Sequence, residues 1–148
     1  MSTPEPLTGR CLCGAIELQM QPPTDFLGLC HCRSCRVSHG APFVAWTSVP
    51  LERFAFLRGE ERVRWYRSSP CIRWGFCDQC GSRLLYRADE AGHPESPQVD
   101  RMYVAAACLE GTLDRTVEAH VSYEERVAWY TCGDALPKYR GKGPDRLA

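Results

Sequence analysis

Cys30-His31-Cys32-Arg33-Ser34-Cys35 places three thiols within six residues, and the reading of this stretch decides the rest of the chain. Upstream stands Cys11-Leu12-Cys13-Gly14, and downstream stands Cys77-Asp78-Gln79-Cys80-Gly81. A disulfide framework of ten cysteines would need an oxidising compartment. The start, Met1-Ser2-Thr3-Pro4-Glu5-Pro6, has neither the basic residues nor the apolar stretch of a secretory leader. No run of about 18 apolar residues suggests a membrane span. The expectation is a reduced, cytoplasmic chain whose clustered thiols bind metal or do redox chemistry.

The outer pairs read as one closed site. A tetrahedral zinc holds each thiolate at about 2.3 Å, so the sulfurs must come within just under about 4 Å of one another. Two cysteines two or three residues apart achieve this only where the backbone turns between them. Gly14 and Gly81 follow the pairs and can take the positive φ that lets backbone amides face the sulfurs. Cys11, Cys13, Cys77 and Cys80 then supply four thiolates from distant parts of the sequence, a structural staple. A redox-active Cys77-x-x-Cys80 is the alternative, but the strand-to-helix context of thioredoxin is missing.

The central trio reads as an open site. Cys30, Cys32 and Cys35 supply three ligands, and Arg36 stands where a glycine follows the outer pairs. Three protein ligands and a free position are the arrangement of a working zinc. Three thiolates leave such a site soft and electron-rich, suited to an incoming thiol held as thiolate. His31 points away from the metal if both flanking cysteines point toward it, which gives it a supporting or packing role. His39 and His120 are candidate proton carriers, and His93 falls in a polar surface loop. Cys71, Cys108 and Cys132 fit neither site by spacing. They read as small buried hydrophobes, or as a fourth ligand that would close the trio.

The remaining pattern is short and mostly β. Ala15–Met20, Pro42–Thr47, Phe54–Leu57, Arg62–Arg67, Cys71–Phe76, Arg83–Tyr86 and Met102–Ala107 read as strands, the last with alanines that would also suit a helix. Arg62 and Arg64 share one face of their strand, with Val63 and Trp65 on the other. No linker or repeat divides residues 1–148, so one zinc-binding domain with loose tails at 1–8 and 141–148 is expected. The formal net charge is zero, which gives no bulk pull toward nucleic acid or an anionic membrane.

Gly9-Arg10-Cys11-Leu12-Cys13-Gly14, then Cys30-His31-Cys32-x-x-Cys35-Arg36 with Gly40-Ala41, then Phe76-Cys77-x-x-Cys80-Gly81-Ser82, resemble the glutathione-dependent formaldehyde-activating enzyme family, which also includes centromere protein V. Leu113-Asp114, His120, Trp129 and Leu136-Pro137 are similar to that family's C-terminal pattern. The resemblance implies a β-tent fold of antiparallel sheets and two zinc ions per chain. One is structural, at Cys11, Cys13, Cys77 and Cys80, and one catalytic, at Cys30, Cys32 and Cys35. It implies carbon–sulfur lyase chemistry on the adduct of a thiol, typically glutathione, with an aldehyde such as formaldehyde. Cys71 and Cys132 are extra to the shared pattern.

On this reading Arg36, and Arg33 beside it, could fork onto substrate carboxylates. The partners expected are a small thiol and an aldehyde, with no membrane and no nucleic acid, and homo-oligomerisation is left open. The rival is a non-catalytic zinc module that docks protein or nucleic acid through the eight arginines between Arg53 and Arg87. A third reading is a redox protein cycling the trio between zinc thiolate and disulfide.

Overall fold

The computed structural model describes residues 3–89, 99–142 and 146–147. The strands are β1 (Leu7–Arg10), β2 (Glu17–Met20), β3 (Leu27–Cys30), β4 (Val44–Pro50), β5 (Phe54–Arg58), β6 (Val63–Arg67), β7 (Ile72–Cys77), β8 (Arg83–Ala88), β9 (Arg101–Ala105), β10 (Leu109–Glu110), β11 (Ala119–Val121), β12 (Lys138–Tyr139) and β13 (Arg146–Leu147). A single α-helix among the described residues, α1 (Arg33–His39), follows β3. None of these helices is long and apolar enough to cross a membrane.

The architecture is mainly β, as expected, in two sheets. The small one runs β10-β1-β2-β5 and the large one β13-β12-β11-β3-β4-β9-β8-β7-β6. Most pairings are antiparallel, but β11 runs parallel to both β3 and β12, so the large sheet is mixed at one edge. The expected lead of 1–8 is shorter than the sequence suggested, because Leu7 is buried and starts β1. Gly141 is likewise tied down, its carbonyl accepting from Ser122 N at 2.6 Å and its N–H donating to Glu124. The polar loop around His93 lies outside the described residues.

Alternation along β9 shows how the large sheet is buried on both faces. Met102 and Val104 point into one apolar cluster, with Ile16, Leu18, Met20, Val49 and Leu85. Tyr103 and Ala105 point into the other, with Trp46, Trp74 and Tyr86. A strand with apolar side chains on both faces reads as a continuous run, which is what Met102-Tyr103-Val104-Ala105 does. The following alanines leave the sheet in a 3-10 turn, Ala106–Cys108. Each face carries one cysteine cluster: Cys11 and Cys77 pack in the first, Cys30 and Cys35 in the second.

Candidate active site

The outer quartet forms from two turns brought face to face. Cys11 and Cys13 lie just after β1, and Cys77 ends β7 with Cys80 three residues on. The Sγ atoms of Cys11 and Cys13 are 3.6 Å apart and those of Cys13 and Cys77 3.8 Å. A tetrahedral four-sulfur zinc site sets this spacing at about 3.8 Å, so the donor set fits the metal. Gly14 and Gly81 have φ of 78° and 75°, the left-handed turn that the sequence predicts. Ile16 N donates to Cys11 Sγ at 3.3 Å and Gln79 N to Cys77 Sγ at 3.4 Å. Ser82 joins the turns: its Oγ accepts from Leu12 N at 3.0 Å and lies 3.2 Å from Cys80 Sγ.

The trio forms where β3 passes into α1. Cys30 ends the strand, Cys32 caps the helix and Cys35 lies in its first turn. Cys32 Sγ accepts from Cys35 N at 3.3 Å, and Cys35 Sγ accepts from Trp46 Nε1 at 3.3 Å. The three sulfurs lie within 4.8 Å of one another, and no fourth His, Cys, Asp or Glu among the described residues joins them. Hydrogen bonds from the Cys32 and Cys35 thiols pull Cys30 down to about 3, and the same contact with Cys30 pushes Cys35 up. The direction of the Cys30 shift favours a thiolate, which suits a cation.

The trio lines a cavity of about 900 Å³. Its deep wall is aromatic: Trp46, Trp74, Tyr86 and Tyr103. Tyr86 and Tyr103 stack at 4.3 Å, and Trp46 meets Tyr86 edge-on at 4.9 Å. Burial pushes the Tyr86 phenol well above its ordinary value, so it remains an O–H donor. The rim is polar, with Glu124, Glu125 and Lys142. An apolar, largely preformed cleft with a few convergent polar groups is what a small-molecule site requires.

Arg36 does not line this cavity; its Nε donates to the carbonyl of His31 at 3.0 Å and braces the ligand loop. Arg33 is exposed, with its backbone N–H 3.3 Å from Glu125 Oε1. His31 turns away from the trio into a buried chain: His31 Nε2 lies 2.8 Å from His120 Nδ1, and His120 Nε2 lies 2.9 Å from Asp134. Burial pushes His31 down to about 4, so it is neutral. Cys132 lies beside these two imidazoles rather than beside the trio. Cys71 is buried next to Ser69, and Cys108 packs against the first apolar cluster, where burial raises it to about 12. Sequence reasoning missed Trp46, Tyr86, Lys142 and Asp134 as part of this region. Only the Asp-x-Leu-Pro segment, Asp134–Pro137, lay near a recognised signal.

The arginines on and around β6 are paired in place, four guanidinium groups to two carboxylates. Arg62 and Arg64 meet Asp78 at 3.0 and 3.9 Å, and Arg67 and Arg73 meet Asp89 at 2.8 and 3.0 Å. Such pairing halves the charge that this face could offer to a nucleic acid.

The sequence model of glutathione-dependent formaldehyde-activating enzymes matches residues 6–132. An uncharacterized lyase of Schizosaccharomyces pombe is 27% identical over 122 residues, which is 82% of each chain. A crystal structure of a Rhodobacter sphaeroides protein superposes with a TM-score of 0.56 at 24% identity, over 72% of this chain and 91% of that one. That likeness concerns the fold.

Proposed function

This chain belongs to the glutathione-dependent formaldehyde-activating enzyme family, and we propose that it is a carbon–sulfur lyase that makes and breaks adducts of a small thiol, such as glutathione, with an aldehyde. In this reading residues 1–148 work as one unit, with a structural zinc at Cys11, Cys13, Cys77 and Cys80 and a catalytic zinc at Cys30, Cys32 and Cys35. The observation that carries it is a three-sulfur cluster facing an aromatic cavity of about 900 Å³, with no fourth protein ligand among the described residues. A zinc ion bound there supplies the charge that keeps an incoming thiol in its nucleophilic thiolate form.

The chain's own residues do the rest. The aromatic wall of Trp46, Trp74 and Tyr103 excludes water and holds the aldehyde carbon against the sulfur. In the forward direction the carbon–sulfur bond forms, the carbonyl π pair moves to oxygen, and that oxygen takes up the proton the thiol gave. The reverse reaction releases both reactants. Tyr86, kept protonated by burial, is the donor to the oxygen that gains charge. Lys142 is the cation of the cavity and the counterpart of a substrate carboxylate. Arg36, expected in that role, spends its Nε on His31 and serves first to hold the ligand loop.

Cys32→Ser tests the assignment. Metal analysis is expected to lose one zinc per chain, and thiol–aldehyde turnover, followed with glutathione and formaldehyde and then larger aldehydes, is expected to disappear. Loss of a zinc with turnover untouched would remove the catalytic role of the trio.

A further inference from the structure

Three glycines stand inside strands among the described residues, and packing requires only two of them. A Cβ on Gly9 would lie 2.8 Å from the Cys108 carbonyl oxygen, and one on Gly75 3.1 Å from the Trp65 ring, so neither position has free room for a side chain. Gly28, in β3, is different. A Cβ there would meet nothing nearer than the Phe26 ring at 3.6 Å and the Ala119 carbonyl oxygen at 3.7 Å, both ordinary contacts. Its φ is not left-handed either. Glycine weakens a strand, and one that neither packing nor backbone demands marks a place where a ligand comes close.

Gly28 stands two residues before Cys30, so the two share one face of β3, about 7 Å apart along the strand. Both line the cavity of about 900 Å³. Beside Gly28 in the sheet stand Trp46 on β4 and Ala119 on β11, which line it too. The ring surface continues across the sheet, where Tyr103 on β9 neighbours Tyr86 on β8, and Tyr86 neighbours Trp74 on β7. Phe26 closes the near end, 6.1 Å from Tyr103. The indole N–H groups of Trp46 and Trp74 are already given to Cys35 Sγ and Ser68 Oγ, so these two rings have only carbon left to offer.

We propose that the aldehyde partner of this chain carries a flat apolar group, of the size of a phenyl ring, which lies over Gly28 against the aromatic wall. The inference rests on the lyase reading and adds the class of its aldehyde. The step itself is unchanged: the thiol sulfur bonds the aldehyde carbon, the carbonyl π pair moves to oxygen, and the thiol proton goes to that oxygen, with no oxidant or reductant. With its carbon at the trio, formaldehyde has only hydrogen to turn toward Gly28 and leaves the rings uncovered. A cavity of about 900 Å³ suits a far larger ligand. Glutathione does not fill this place, because its charged ends belong with Glu124, Glu125 and Lys142 at the rim and would lose their hydration against aromatic carbon. An apolar ring there gains from the area it removes from water and from ring–ring contact.

Exchange NMR on the zinc-loaded full chain with glutathione tests it, using propanal and 3-phenylpropanal, whose reacting ends are alike and which differ by the ring. After subtraction of the uncatalysed rates, kcat/KM for 3-phenylpropanal is expected to exceed that for propanal by about tenfold or more. Gly28→Leu, which fills the space over the strand, is expected to bring the two values within about twofold of each other, with metal content unchanged. Should Gly28→Leu fail to fold, Gly28→Ala, whose Cβ the neighbours already accommodate, is expected to cut the ratio by about threefold or more. A wild-type ratio near one, or turnover of formaldehyde alone, would overturn the aldehyde class and leave the lyase reading standing. A ratio that survives in the folded Gly28 variants would overturn it too, since the ring would then lie elsewhere. No turnover of propanal, 3-phenylpropanal or formaldehyde would remove the lyase reading and this inference with it.

Discussion

At the scale of single residues, two groups outside the cysteines carry the sharpest consequences. Tyr86→Phe removes a buried donor beside the trio while keeping the ring that packs on Tyr103. On the proposed reading it should lower kcat by about 100-fold, the cost of one lost donor to a developing oxyanion, with zinc content unchanged. Steady-state kinetics beside metal analysis checks both. His31 is neutral in the fold, held at about 4 by burial, whereas the unfolded chain takes its proton near the ordinary value of about 6.5. The folded state therefore has the full benefit above that ordinary value and loses it as the pH falls toward 4, on the order of 3 kcal/mol in all. Asp134 has the same sign but acts lower: its hydrogen bond to His120 holds it below the ordinary carboxylate range, so its benefit is lost only on further acidification. Urea midpoints of the wild type and His31→Asn between pH 7.5 and 5 should show a pH slope that the variant flattens. These roles were not legible in the sequence. A tyrosine or aspartate gains such meaning only from neighbours on other elements, and His31 alone could be assigned, because alternation beside two cysteines that point one way aims it the other way.

At the scale of elements, the legible parts were those with a local pattern. Period-two alternation marked β2 and β6, because an alternating face must be half-buried, and short apolar stretches marked β5 and β7, all to within a residue or two. Helix α1 was not legible: its seven residues bury only Cys35 and leave Val37 exposed, so no apolar stripe marks it. Strands β10 to β13 are two or three residues long and carry no period at all. The junction of β5 and β6 turns on Gly59, whose φ is 79° and whose position leaves no room: an added Cβ would lie 2.0 Å from the Ala15 carbonyl oxygen. The three nearest atoms, Ala15 O, Ala15 C and Ile16 Cα, all belong to backbone, so none can step aside. Gly59→Ala should cost about 3 kcal/mol or more, read as a drop in the urea midpoint or as loss of soluble protein.

At the scale of the whole molecule, the cysteine clusters divide the labour between the two faces of one sheet. The outer quartet joins residues 11–13 to residues 77–80 against the first apolar cluster, so on the proposed reading a metal held there closes a long loop, and its loss should be felt globally. Cys80→Ser should lower the melting temperature by roughly 10 °C or more, whereas Cys32→Ser, which touches a single strand-to-helix turn, should lower it far less. Calorimetry of the two variants, each with its zinc counted, makes the comparison. That two clusters exist was plain from spacing; that they lie on opposite faces was not, because that depends on how β3 reaches β9 through β4 and how β7 reaches it through β8. The parallel seam of β11 on β3 has a further consequence, for biosynthesis. Tyr139, Gly141 and Lys142 border the cavity, yet they leave the ribosome after every cysteine of the chain. The nascent polypeptide therefore carries its sulfurs unsheltered on that side until these residues have also been made, and a bound metal ion or a reductant would guard them in that interval.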